Sequence, residues 1–293
     1  MLRLFLFSCI YLLFSYQPLL AQGQKSRLVV IRFDGTNKRV VYETTERIEA
    51  PNWTPDGKHL IFNSRGKLYR IAASGKSEPV PIPAGTITNI NNDHGLTPDG
   101  KTIVFSAGHI YKMPVQGGTP IRITSKKPSY WHGISPDGRT LVYCAKRNDN
   151  FDVYAISIDG GPEKRMTNSP AYDDGPEYSP DGRWIYFNSN RSGTWEIWKI
   201  PASGGQAIQV TNDEYENWFP HPSPDGKKIA ILSFPPGTKG HPRNKHVKIR
   251  LLFVGEEKNI RDVVSLFGGQ GTINVPSWSP DSEYFAYVEY TQP

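Results

Sequence analysis

Ser179-Pro180-Asp181-Gly182, followed by Arg183-Trp184-Ile185-Tyr186-Phe187-Asn188-Ser189, is the stretch whose reading decides the fold. Proline pre-sets the first corner of a tight turn, aspartate bonds the backbone amides that follow, and glycine accepts positive φ. The apolar run behind it reads as a strand, so the unit reverses the chain between two strands. Working outward, the same unit recurs at Thr54-Pro55-Asp56-Gly57, Thr97-Pro98-Asp99-Gly100, Ser135-Pro136-Asp137-Gly138 and Ser223-Pro224-Asp225-Gly226. A sixth copy, Ser279-Pro280-Asp281-Ser282, has serine in place of glycine.

The turn prolines stand at 55, 98, 136, 180, 224 and 280, giving intervals of 43, 38, 44, 44 and 56 residues. Repeats near 40 residues indicate a propeller or solenoid, and each interval accommodates four short strands with their turns. The expected fold is all-β, a six-bladed β-propeller with four-stranded blades. In the third interval the strands are read as Trp131 to Ser135, Thr140 to Lys146, Phe151 to Ile156 and Glu163 to Thr167. After the sixth turn only Tyr284 to Tyr290 remains for the last blade, so Leu28 to Phe33 and Arg39 to Thr44 are expected to complete it. Such closure removes exposed sheet edges and makes residues 24 to 45 indispensable. The Pro- and Gly-rich segment from Pro235 to Lys245 reads as a loop, either a binding loop or a tolerated insertion.

Composition agrees with many short strands: 27 glycines and 25 prolines are spread through 293 residues, and no amphipathic helix stands out. Residues 1–21 read as a signal peptide, with Arg3 before a largely apolar run and Ala21 at the cut, leaving 22–293 as a single propeller domain. The polar residues interrupting that run argue against an uncleaved anchor, so no stable membrane span is expected after cleavage. The mature chain keeps one cysteine, Cys144, which reads as a small buried hydrophobe. The formal charge of +6 contains no basic block, so nucleic acid is not an expected partner.

In a propeller, residues just ahead of each inner strand gather at one mouth of the central channel, with the loops joining second and third strands around them. The candidates for ligand binding there are Asn92, Asp93, Trp131, Tyr172, Asp174, Glu177, Trp218 and Gln270. Flat rings cover apolar faces while amides and acids read polar edges, which suits a sugar or a peptide. His94, His132 and His221 stand in nearly the same register, with His241 available from the long loop. Converging imidazoles beside Asp173, Asp174 or Glu177 would suit a divalent metal ion, although no HxH or HExxH pair is present. The alternative is that these side chains bond the inner strands and fill the channel. No GxSxG elbow is present, and Gly268-Gly269-Gln270-Gly271 reads as a turn rather than a phosphate loop.

With its six S/T-P-D-G turns and closing segments such as Arg165-Met166-Thr167, the chain resembles the TolB-like family of β-propellers over nearly all its mature length. The resemblance implies a periplasmic or secreted protein, expected as a monomer, that binds an envelope protein or a glycan at the mouth without catalysis. It also implies an alternative, a metal-dependent polysaccharide lyase with axial ligands analogous to His94, His132, His221 and Gln270. True TolB carries an additional N-terminal α/β domain, whereas here about two strands precede the first repeat.

Overall fold

The computed structural model describes residues 23–292, so the expected signal peptide lies outside the described residues. The chain forms six antiparallel sheets, one per repeat, arranged as a propeller. Blade one comprises Ile48–Trp53, His59–Ser64, Lys67–Ala72 and Val80–Ile82; blade two, His94–Leu96, Thr102–Ala107, His109–Pro114 and Ile121–Arg122. Blade three comprises Ser129–Ile134, Thr140–Arg147, Asn150–Ser157 and Lys164–Arg165; blade four, Asp173–Tyr178, Trp184–Ser189, Glu196–Pro201 and Ile208–Gln209. Blade five comprises Glu216–Pro222, Lys228–Phe234, Arg243–Phe253 and Glu256–Gly269.

Blade six is assembled from both ends of the chain, with Ser26–Arg32 lying between Arg39–Thr44 and Tyr284–Tyr290. Its innermost segment departs from a regular ladder. It is held by the bridge Trp278↔Phe285 and by backbone bonds from Ala286 to Ser277 and from Val288 to Thr272, each 2.9 Å. Pro276 in this segment has no amide hydrogen to contribute.

The repeated turn explains itself chemically. Ser179 Oγ donates to Asp181 Oδ1 at 2.5 Å and accepts from the Trp184 amide at 3.0 Å, while the Arg183 amide donates to that same carboxylate oxygen. Gly182 takes φ 71° so that its amide can reach the Ser179 carbonyl at 2.8 Å. The hydroxyl-to-aspartate bond recurs in every copy. Neighbouring turns also nest: a methyl added at Gly100 would lie 3.2 Å from Pro55, and one at Gly138 or Gly182 3.5 Å from the preceding blade's turn proline. Between blades five and six the contact changes character, because Ser282, at φ 62°, accepts from the Asp225 amide through its own hydroxyl at 2.9 Å.

The core is a set of layers between blades. A strand buried on both faces sends alternate residues to opposite neighbours. Leu28 and Val30 therefore pack with Ile48, Leu60 and Phe62 of blade one, while Val29 and Ile31 pack with Leu232, Ile249 and Leu251 of blade five. The same logic fills the other faces, for example Val142 and Val153 against Ile185 and Phe187.

Blade five departs from the expected outline. The loop ends by Pro242, because Arg243 to Lys245 already pair with Gly268 and Gly269 in a long hairpin. Its outer strand, Glu256–Gly269, runs 14 residues where the outer strands of blades two, three and four have 2.

Candidate functional site

Each inner strand begins at the same end of the ring and runs toward its turn, and the residues at its start frame one mouth. A pocket of about 430 Å³ opens there. One wall is Tyr130, Phe151 and Tyr172, with ring centroids 6.4 Å and 5.8 Å apart in succession. A second wall is Trp195, Trp218 and Phe219, with the two indoles 3.9 Å apart at centroid. Asn91, Asn92, Asp93, His132, Asp174, His241, Gln270 and Asn274 supply the polar surface.

A bulge in the inner strand shapes the second wall. The pairing with Lys228–Phe234 shifts between Trp218 and His221, and Phe219 adopts φ 52°, a left-handed conformation rare for a bulky residue. The buried Asn188 Oδ1 accepts the Phe219 amide at 3.1 Å and helps hold it there. Comparable register shifts occur in the inner strands of blades one, three and four.

The polar surface is a connected network. His132 Nδ1 faces the Asn274 carbonyl at 3.3 Å and Nε2 faces Asp174 Oδ1 at 3.3 Å, so both ring nitrogens meet acceptors. Although burial opposes it, bonding to Asp174 raises the imidazole pKa above its ordinary value. Asp174 is correspondingly low, at about 2: burial would raise it, but His132 outweighs that effect. His241 Nδ1 donates to Gln270 Oε1 at 2.5 Å, and desolvation lowers its pKa, keeping the ring neutral. Gln270 also accepts from Asn274 Nδ2 at 2.9 Å.

Asp93 is the exception. It is 5% exposed, and burial lifts its pKa to about 6, with His132 opposing and Asp174 adding to the rise. Its side-chain bond to Asn91 Nδ2, 2.5 Å long, comes from a neutral amide. Two buried donors at the pocket, Asn92 Nδ2 and Trp218 Nε1, have no hydrogen-bond partner.

Of the residues expected at the mouth, Asn92, Asp93, Tyr172, Asp174, Trp218, Gln270 and His132 meet at this pocket. Trp131 does not line it. Its ring packs over Gly95 of the neighbouring blade, where an added Cβ would sit 2.2 Å from Cη2. Gly95→Ala is therefore expected to cost about 1–3 kcal/mol by overpacking, and Trp131→Leu in the same chain to recover part of that loss in thermal melts.

Register separates His132 from His221: His132 stands three residues before its turn hydroxyl residue and His221 two, and a one-residue offset on a strand reverses the side chain. His94 shares the offset of His132, but its strand pairs without the register shift found beside His132. His221 bonds Glu177 Oε2 at 2.6 Å and faces the Ile273 carbonyl at 2.9 Å, away from the pocket lining. Burial raises the Glu177 pKa, and His221 offsets part of the rise. His94 is fully buried, and burial pushes it down to about 4, countered only by the Ile61 backbone. Among the described residues no group of three His, Cys, Asp or Glu side chains is arranged to hold a metal ion. With His132 and His221 each engaged at both ring nitrogens, the three imidazoles do not fit a shared metal centre.

Phe151 and Trp195 complete the walls although neither precedes an inner strand. Both stand where a second-to-third strand hairpin re-enters the sheet, and that position is the signal that would have found them. Cys144 touches the pocket floor with its thiol 3.4 Å from the Asp173 carbonyl, and burial raises its pKa well above the ordinary value, which disfavours the nucleophilic thiolate.

Comparison with known proteins adds three findings. Residues 131–249 match the family model described as the TolB beta propeller domain. An uncharacterized protein of Agrobacterium fabrum is 44% identical over 92% of this chain and 93% of its own length, whereas a Tol-Pal system protein TolB of Francisella tularensis is 31% identical over 32% of this chain and 22% of its own. Among solved structures, a TolB candidate from Agrobacterium tumefaciens superposes with a TM-score of 0.90 at 44% identity, covering 92% of this chain and 100% of that one. TolB from Acinetobacter baumannii superposes at 0.67 with 19% identity, covering 85% of this chain and 65% of that one, a likeness of fold alone.

Proposed function

The chain belongs to the TolB-like β-propeller family, and from that premise we propose that it is an exported, non-catalytic binding protein whose mouth pocket holds a protein or glycan ligand. The observation that carries this reading is the pocket itself, with six aromatic side chains in its lining, a polar surface already networked, and two buried donors left without acceptors. Rigid rings cover apolar parts of a ligand at little entropic cost, and the free donors select its polar edge. Export rests on the expected signal peptide over 1–21. The Tol-Pal naming of partial relatives supports a periplasmic or secreted site of action with an envelope partner. No helix among the described residues is long and apolar enough to cross a membrane.

The test uses a glycan array and an envelope-protein binding screen with the chain from residue 22 onward. Tyr172 is 47% exposed at the rim, so Tyr172→Ala should weaken ligand binding at least about tenfold while shifting the melting temperature little. Lys101→Ala, on a turn at the opposite end of the inner strands, serves as the control. Equal binding by both variants and the parent would refute a site at the mouth.

A further inference from the structure

We propose that the mouth pocket seats one organic cation, the ammonium or guanidinium end of a lysine or arginine side chain carried by a polypeptide. This deepens the reading of the mouth as a binding site and rests on it. Three independent observations lead there.

The first is the charge inventory. Two carboxylates, Asp93 and Asp174, line the pocket, and no lysine or arginine does. Asp174 is bonded to His132, at 3.3 Å, while His241, 3.9 Å away, is kept neutral by burial, so the two acids share the one imidazole whose pKa is raised and Asp93 is only partly compensated. Buried carboxylates are ordinarily paired with a cation, and one facing a cavity beside a second acid invites that cation from a ligand. Burial is the main cause of the raised Asp93 pKa, with Asp174 adding to the rise and His132 opposing it.

The second is the shape of the walls. Tyr130, Phe151, Tyr172, Trp195, Trp218 and Phe219 all line the pocket, and exposure falls from 47% at Tyr172 to 5% at Asp93. A lysine or arginine stem is apolar along its length and charged at its tip, which matches an aromatic passage ending in an acid. The ring faces would also attract the cation directly. The third observation is the pair of unpartnered donors, Asn92 Nδ2 and Trp218 Nε1. A peptide backbone brings carbonyl acceptors for such donors, whereas a free diamine brings none.

The experiment follows the indole NH signals of Trp195 and Trp218 by NMR while the chain is titrated with acetyl-Gly-Arg-Gly-amide, with the same peptide carrying citrulline, and with free agmatine. Citrulline keeps the shape of arginine and removes its charge. The arginine peptide should bind at least about tenfold more tightly than the citrulline peptide, the scale of one charge-assisted contact, with agmatine between them. Asp93→Asn should abolish the preference while remaining folded by its melting curve. Agmatine binding as tightly as the arginine peptide would assign the site to small cations and overturn the polypeptide part of the proposal. Equal affinity for arginine and citrulline, survival of the preference in Asp93→Asn, or no saturable response to the arginine peptide in the millimolar range would overturn the whole. If the peptides tie while Tyr172→Ala still loses its envelope ligand, the mouth remains a binding site and only its cation selectivity falls.

Discussion

A chain that begins at Asn37, and so lacks the strand Ser26–Arg32, will not unfold cooperatively. That strand pairs with Tyr284–Tyr290 over seven residues, Ser26↔Tyr290 through Arg32↔Tyr284, and on its other edge with Arg39–Thr44. Its removal leaves a row of unpaired backbone groups in the middle of blade six. It also strips Leu28, Val29, Val30 and Ile31, all at most 2% exposed, from two apolar layers. At about 1.5–3 kcal/mol per buried aliphatic side chain, their loss amounts to roughly 6–12 kcal/mol, comparable to the whole stability of an ordinary domain at about 5–15 kcal/mol. Circular dichroism should show no sharp thermal transition in the truncated chain, and a synthetic peptide of residues 24–36 should restore one. A cooperative melt within a few degrees of the parent would show that the ring does not depend on its closure.

Asp93→Asn should stabilise the fold at pH 8 by on the order of 2–3 kcal/mol. The folded-state pKa of about 6 lies above the reference value of 3.8, so the fold holds this proton more tightly than the unfolded chain does. The resulting penalty is fully present above pH 6, shrinks as the pH falls, and vanishes below 3.8. The surroundings explain it: burial, Asp174 and Glu49 disfavour the anion, and His132 and Asn91 compensate in part. Urea unfolding at pH 8 and pH 4 would reveal a gain at the first value and almost none at the second. A loss of stability at both would mean that Asp93 is already well compensated. Stabilisation together with lost arginine selectivity is the trade expected of a group retained for its ligand.

Much of this architecture can be read from the chain because each Ser/Thr-Pro-Asp-Gly unit contains both sides of its own hydrogen bonds. Ser179, Asp181 and Gly182 make their turn with no help from distant residues. The mouth is legible for a related reason, since every inner strand starts at the same end. What local pattern does not reveal is which side chain of a pair turns inward. Tyr130 and Trp131 are adjacent and both aromatic, yet the first lines the pocket while the second covers Gly95. The bulges decide that parity, and their positions depend on contacts between blades such as Asn188 to Phe219. Register likewise separates His132 from His221. The outer hairpin of blade five eluded the reading because its extent is set by pairing between Arg243–Phe253 and Glu256–Gly269 rather than by a turn motif.

Ser282 has a consequence for assembly. Six nearly equivalent units could in principle stack in a shifted order or exchange between two chains, since one interface resembles the next. The serine at the final turn reaches the Asp225 amide, a bond that the other five turn positions, occupied by glycine, have no side chain to imitate. It distinguishes the junction of blades five and six from the others, so that the last unit is recognised as last and the circle shuts in a single arrangement.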